Sequence, residues 1–182
     1  MVSILINDDI LLRSYEHEDA PELFRAVNES REHLRPWFVW VDQTTKQEHS
    51  LHFIQHSLQQ LNNQEGLALG IFYKRQIIGS VGMHNWDHTI KKAQIGYWID
   101  KAYEGKGIIN QCMTRFVDFL FKKVGLNKVE IHFISSNDRS AHVAERLGCK
   151  VEGVIRQSFL KNGKLEDVIV TGILKTEWQP VK

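Results

Sequence analysis

Several features are scarce in this sequence, and each scarcity removes a class of function. Net charge is scarce: 23 Lys and Arg stand against 22 Asp and Glu, a formal +1 at pH 7. Bulk electrostatics therefore provides no reason to expect nucleic acid as a direct partner. No apolar run reaches the ~18 residues of a membrane span, so no membrane partner is expected. The opening Met1-Val2-Ser3-Ile4-Leu5-Ile6-Asn7-Asp8 has neither a basic segment nor a long apolar core. No signal peptide is expected from it, and a cytoplasmic location is. Cysteine is limited to Cys112 and Cys149, whose separation fits no metal motif; both read as buried, reduced thiols. His52 and His56 lie four residues apart, but no H-E-x-x-H pattern or nearby cysteine accompanies them. They read as a solvated helix face, and no metal is expected. Repeats, low-complexity tracts and linkers are absent as well. With 182 residues, 42% hydrophobic and 25% charged, the chain is expected to form one domain over 1–182.

What is present reads as a mixed α/β pattern. Residues 10–13 form a first short strand, and Asp19-Ala20-Pro21 opens a helix with Asp19 as its cap and Pro21 in its first turn. Ala20, Leu23, Phe24 and Val27 give that helix an apolar side. An aromatic loop, Leu34-Arg35-Pro36-Trp37-Phe38-Val39-Trp40, comes next. Thr45 and Glu48 then make a capping-box pattern for a second helix, with Leu51, Ile54, Leu58 and Leu61 on one side. Strands are expected over 67–73, 76–83, 93–100 and 128–134, the first two joined at Lys74-Arg75. A helix over 108–123 buries Ile109, Cys112, Met113, Phe116 and Leu120, and a short helix ends at Leu147-Gly148. Asn162-Gly163 turns a closing hairpin of residues 151–160 and 165–174. The order is β-α-α-β-β-β-α-β-α-β-β.

The most informative stretch is Ile95-Gly96-Tyr97-Trp98-Ile99-Asp100, followed by Tyr103-Glu104-Gly105-Lys106-Gly107-Ile108-Ile109. A strand ends, a loop with two glycines follows, and a helix begins at once. Glycines on either side of Lys106 let backbone N–H groups converge with no Cβ in the way. The helix start adds its own N–H groups and the positive end of its dipole. This is an anion site suited to a phosphate or pyrophosphate. No G-x-x-x-x-G-K-[ST] is present, and Gly105-Lys106-Gly107 lacks the third glycine of a dinucleotide fingerprint.

The residues resemble a known family, the GNAT N-acetyltransferases, whose acetyl-CoA loop follows a [Gln/Arg]-x-x-Gly-x-[Gly/Ala] pattern. Glu104-Gly105-Lys106-Gly107-Ile108-Ile109 matches at Gly107 and departs at Glu104 and Ile109. Further blocks resemble the RimJ/RimL-type ribosomal-protein branch. They are Leu34-Arg35-Pro36-Trp37 with Trp40, Ile95-Gly96-Tyr97-Trp98-Ile99, Asn137 with Ser140 and Leu147-Gly148, then Glu152-Gly153 and Asp167. The resemblance covers nearly the whole chain. It implies a GNAT acyl-CoA N-acyltransferase fold with a mixed, mostly antiparallel sheet of about seven strands flanked by helices.

The resemblance also implies a site. At Tyr97, Trp98 and Ile99 the strand splays from its neighbour, often at a bulge, to admit the pantetheine arm. Backbone N–H groups of Gly105, Lys106, Gly107, Ile108, Ile109 and Asn110 take the pyrophosphate, and Asn137 contacts the cofactor or a water while ordering its loop. Family chemistry is direct attack of an amine on the thioester. Many members protonate the leaving thiolate with a Tyr of the late short helix, where this chain has Ala144. In the RimL-type branch a Ser near that helix start is the acid, which places the role on Ser140; a plain helix-start residue is the other reading. A Glu that often serves as base corresponds here to Gln94, which can only position a water; His84 is either the alternative base or a polar residue at a strand end. A free α-amine with pKa near ~7.8 is roughly one-seventh neutral at pH 7, while a lysine amine near ~10.4 is neutral a few hundredfold less often. A site without a strong base therefore suits an α-amine.

Trp37, Trp40 and Trp86 either line an acceptor groove or pack, and Asp167 either nears the acceptor or bonds a backbone group. The expected activity is acetyl transfer from acetyl-CoA, with coenzyme A as product, to an amine acceptor such as a ribosomal-protein N-terminus. A polyamine- or aminoglycoside-like acceptor and a non-catalytic acyl-CoA-binding protein are the alternatives. The oligomeric state stays open, a homodimer included.

Overall fold

The computed structural model describes residues 1–179, so the last three residues of the expected 1–182 domain lie outside it. Along the chain stand β1 (Ser3–Leu5), β2 (Ile10–Ser14), α1 (Ala20–Glu29), α2 (Arg31–Leu34) and α3 (Gln47–Asn62). They are followed by β3 (Leu67–Tyr73), β4 (Gln76–Asp87), β5 (Lys92–Ile99), α4 (Ile108–Phe119), β6 (Lys128–Ile134), α5 (Asp138–Arg146), β7 (Lys150–Lys161) and β8 (Lys164–Leu174). The eight strands run in the order β1-β2-β3-β4-β5-β6-β8-β7. The β5–β6 ladder is parallel, while β1–β2, β2–β3, β6–β8 and β7–β8 are antiparallel. The GNAT-type sheet expected from the resemblance is thus present, with eight strands rather than about seven. The added strand is β1, three residues too short for any pattern to announce it.

Local chemistry explains the turns. Lys74 and Arg75 have φ of 48° and 72°, and Asn162 and Gly163 have 49° and 79°. Two successive positive φ values match the twist of the flanking strands, which is why two-residue hairpin loops adopt them. The chain divides into two compact units, Met1–Gly82 with Tyr97–Cys112 and Met83–Gly96 with the chain from Met113 onward. The boundary passes through β4, β5 and α4, so each of these elements begins in one unit and ends in the other.

In the first unit α1 and α3 bury a core that includes Tyr15, Leu23, Val27, Ile54, Ile77 and Trp98. Ala26 belongs to this core and Phe24 is only half-buried, so the apolar side of α1 is rotated slightly from the expected one. Two expected caps are corrected. Asp19 has helical φ and ψ and makes no side-chain cap; its carboxylate instead receives Arg13 at 2.7 and 2.8 Å and Glu16 N at 2.8 Å. A paired guanidinium competes successfully for an oxygen that would otherwise take a helix N–H. The cap of α3 is Lys46, without a side-chain bond, and Thr45 N donates to His49 Nδ1 at 3.2 Å. The Thr45/Glu48 pattern therefore lies one residue out of register.

In the second unit α4 finishes in a π turn, Leu120–Val124, which stops at Gly125 with φ of 83°. The expected helix over 108–123 is thus one α-helix and one wide turn. Asn137 caps α5, and Gly148 follows it with φ of 80°, as its C-terminal stop requires. His52 and His56 are exposed, and no group of potential metal ligands is found among the described residues. No helix among them is long and apolar enough to cross a membrane.

Two packing predictions follow from these contacts. A Cβ at Gly79 on β4 would overlap the Trp98 carbonyl oxygen and lie 3.0 Å from Ile99 Cα. Gly79→Ala is expected to cost about 1–3 kcal/mol, read as a lower denaturation midpoint. Cys112 is buried and its thiol is pushed up to about 12 by burial. It stays protonated at pH 8 and is expected to escape iodoacetamide in the native state while reacting once unfolded, a difference that mass spectrometry reads.

Candidate active site

The loop after β5 is set by a buried acid. Asp100 accepts from Ala102 N at 2.9 Å through its side chain, and its own N–H donates to Ile78 O at 2.7 Å. The first bond fixes the 3-10 turn Lys101–Tyr103, and the second ties that turn to β4. Gly105 and Gly107 then adopt φ of 71° and 73°, and a Cβ at either position would meet nothing within 4 Å. Backbone conformation, with open space above it, is what reserves these positions for glycine. Gln111 N donates to Gly107 O at 3.2 Å, the first bond of α4. Gly107 is therefore the helix N-cap, and the N–H groups of the first turn have no acceptor inside the helix. Glycine conformation, open space and a helix start coincide on residues 105–110, which fits a diphosphate.

The side chains around the loop add detail that the sequence did not announce. Glu104, where the GNAT pattern has Gln or Arg, pairs with His33 Nε2 at 2.8 Å, so the departure ties the loop to α2. Lys106 lies with its Nζ 4.9 Å from the Tyr103 ring centre. It lines a hollow of about 240 Å³ with Asn7, Asp9, Tyr73, Tyr103 and Ile108. Trp98 is buried against Trp40, with ring centres 6.3 Å apart, and Phe38 packs on Trp40 at 5.5 Å. Trp40 is thus a packing residue of the first unit, and Trp37 is half-buried beside it in sequence. Tyr97 is half-buried, and Ile99 is buried at the end of β5.

In the second unit the parallel ladder of β5 and β6 pairs Lys92↔Lys128, Ala93↔Val129 and Gln94↔Glu130, and ends there. β5 nevertheless runs on to Ile99 and β6 to Ile134. The ladder thus ends three residues before Tyr97, where the parting was expected. His84 on β4 lies over the start of it: a Cβ on Gly96 would be 3.8 Å from His84 Cε1. His84 is exposed, yet surrounding atoms desolvate its ring, and together with neighbouring His132 they lower its pKa below the ordinary histidine value. Neutral imidazole therefore predominates at pH 7. Gln94 accepts from Asn85 Nδ2 at 3.1 Å, which uses its carbonyl oxygen. Glu130 is buried; burial raises its pKa, but hydrogen bonds and charge from Lys128 and Lys92 outweigh that and hold it below the usual range.

The remaining expected site residues of this unit separate. Asn137 Oδ1 accepts from Ser140 N at 3.1 Å, so Asn137 orders the start of α5. The half-buried Ser140 hydroxyl has no hydrogen bond among the described residues. Ala144 is buried at the position of the family tyrosine. Asp167 Oδ1 accepts from Gln157 N at 2.9 Å, where Gln157 has φ of 50° and the β7–β8 register shifts between Ile155 and Phe159. Asp167 braces this bulge, the backbone-bonding alternative. Trp86 stacks on His88 at 4.4 Å near the β4–β5 turn. Sequence reasoning passed over His33, Glu130 and His132, because each gains meaning only through a partner distant in sequence or on another strand.

Comparison with known proteins agrees with this geometry. The family model described as an acetyltransferase (GNAT) domain matches residues 9–150. The protein YdaF of Bacillus subtilis is 30% identical over 183 residues, covering 100% of both chains. The ribosomal-protein-serine acetyltransferase of Escherichia coli is 24% identical over 168 residues, covering 91% of this chain and 93% of its own. Among solved structures, the microcin C7 self-immunity acetyltransferase MccE, in complex with acetyl-CoA and AMP, superposes with a TM-score of 0.87 at 28% identity. That match covers 93% of this chain and 94% of the other. With a loop of this geometry, a sheet of this order and a family match over most of its length, the chain belongs to the GNAT acetyltransferases, whose chemistry is acetyl transfer from acetyl-CoA.

Proposed function

We propose that the whole chain acts as one acetyltransferase domain whose acceptor is the α-amine of a protein N-terminus, of ribosomal-protein type. The observation that carries this reading is the early end of the β5–β6 ladder with His84 over Gly96 beside it. An interrupted ladder exposes backbone groups that an extended arm can pair with as another strand would. Acetyl-CoA supplies a thioester; the chain supplies position and protons. The N–H groups of residues 105–110 hold the diphosphate, and the β5 edge past Gln94 offers N–H groups to the carbonyl oxygen as charge gathers there. His84, neutral at pH 7, takes a proton from the attacking amine. As the new C–N bond forms and the C–S bond breaks, the Ser140 hydroxyl hands its proton to the departing sulfur and regains one from the second proton that the nitrogen sheds on becoming an amide.

The acceptor class rests on proton chemistry. An α-amine near ~7.8 needs only a weak imidazole base, whereas a lysine amine near ~10.4 needs a strong one. The name of the Escherichia coli relative, a ribosomal-protein-serine acetyltransferase, supports the same class. Trp37 and Trp86 remain the aromatic residues available to an acceptor chain.

Gly107→Val forces a β-branched residue to φ of 73°, at a backbone cost of about 1–2 kcal/mol or more that the loop relieves by reorganising. Calorimetry is expected to show loss of coenzyme A uptake; unchanged uptake sinks the loop assignment. Ser140→Ala is expected to leave coenzyme A binding intact and to lower kcat about 10²-fold. Full activity in that variant removes Ser140 from the mechanism. Thiol release with N-terminal Ser or Ala peptides but not with spermidine supports the acceptor class, and the reverse pattern overturns it.

A further inference from the structure

The loop over residues 105–110 opens on an acid. Glu104 stands where the family pattern has Gln or Arg, directly before Gly105 and three residues before Gly107. With about 3.5 Å of chain per residue at full extension, its Cα is at most about 11 Å from that of Gly107. A diphosphate held by the N–H groups of this loop is negative, and so is an ionised carboxylate. Like charges at such a separation repel, and more strongly where protein rather than water lies between them. An acid kept at this position calls for something that cancels its charge.

The structure supplies it from α2. His33 places Nε2 2.8 Å from Glu104 Oε1, and the two side chains are 16% and 21% exposed. Water and salt therefore screen the pair only in part. An ionised carboxylate only accepts hydrogen bonds, so Nε2 of His33 carries a hydrogen whether the ring is neutral or charged. The second proton, on Nδ1, is what turns an orienting hydrogen bond into a cancelled charge. Other charged side chains of the neighbouring elements are bonded elsewhere. Arg25 of α1 pairs with Glu22 and Glu29, Arg31 of α2 donates to the Val41 and Thr44 carbonyls, and Arg35 pairs with Glu32 and Asp42. On the loop side Asp100 accepts from Ala102 N, Lys106 lies over the Tyr103 ring, and Lys101 is exposed.

We propose that His33 is a positioning residue for the cofactor loop: protonated, it cancels the charge of Glu104 and readies the loop for a diphosphate, so that acyl-CoA uptake is coupled to proton uptake by His33. The inference rests on the reading of residues 105–110 as the diphosphate loop. His33 touches no ligand atom and acts through Glu104. The direction of the effect follows from linkage. An anion on the loop favours the protonated ring, and the protonated ring favours the anion by the same factor. As pH rises and Nδ1 loses its proton, the carboxylate is left uncompensated and affinity for the anion falls.

The test is calorimetric titration of the full chain with dephospho-coenzyme A, which carries the diphosphate but not the separately titrating 3′-phosphate. Between about pH 6 and about pH 8.5 the affinity of the wild type is expected to fall about fivefold or more. His33→Gln keeps a donor to Glu104 but carries no charge, and is expected to bind throughout this range as weakly as the wild type does at its upper end. Glu104→Gln has no charge to cancel and is expected to bind throughout at least as tightly as the wild type does at the lower end. The double variant is expected to match Glu104→Gln, so that removing the acid rescues the loss of the imidazole. A pair that only tethers α2 to the loop gives a different pattern, in which each single variant weakens binding and the double variant is not rescued. That pattern overturns the proposal, and so does a wild-type affinity that stays flat across the range. Gly107→Val separates the two readings. If it loses uptake while His33→Gln binds like the wild type at every pH, the loop stands and His33 has no part in it. If the wild type itself takes up no dephospho-coenzyme A and no coenzyme A, the loop reading falls and this proposal with it.

Discussion

A parallel ladder that stops after three pairs is the constraint on which the site depends. β6 cannot close the opening by bending, because its other edge is bonded to β8 from Lys128↔Leu174 through Ile134↔Val168. The Thr171 hydroxyl adds a bond to the Ile131 carbonyl at 2.8 Å. Beyond Gln94, β5 makes no further ladder pair with β6. Since unpaired backbone polar groups are costly to bury, such an opening persists only where something else pairs with it. An extended ligand arm meets that requirement, which is the role proposed for the opening above.

Around this opening, charge is arranged to be satisfied rather than strong. Glu130 is buried but held ionised by two lysines, and a buried carboxylate with one partner removed would be costly. His84 is pushed toward neutrality by desolvation and by a neighbouring imidazole. The weak, neutral base proposed above fits the proposed α-amine acceptor, which loses its proton near neutral pH. The loop over 105–110, proposed above to take the diphosphate, is built by a different means. Asp100 fixes the turn, two glycines fix the backbone path, and the α4 start supplies N–H groups, with no buried cation required.

The bulges extend the same logic. Gln157, at φ of 50°, interrupts the β7–β8 ladder and is braced by Asp167. An edge strand with such an irregularity is a poorer template for unplanned pairing. Asn85, at φ of 52° within β4, lies next to His84 and donates to Gln94. Local backbone irregularity thus accompanies the residue assigned as base, as is common next to active sites.

Much was legible from sequence because it depends on neighbours in the chain. The element order, the Lys74-Arg75 and Asn162-Gly163 turns, the Gly148 stop and the loop that opens α4 all follow from spacing and from φ preferences. The cap at Asp19 was misread because Arg13 takes its carboxylate, and that at Thr45 because His49, rather than Glu48, accepts the Thr45 N–H. Trp40 reads in sequence as a groove residue as readily as a packing one; only its place against Trp98 separates the two. The sequence alone determined the backbone path proposed to hold the diphosphate, since Gly105, Gly107 and the start of α4 are consecutive. Tertiary structure alone decided where β5 leaves β6, and which residues then meet. Glu130, His132 and His84 come from two strands, and their register is set by pairings across the sheet that no local pattern encodes.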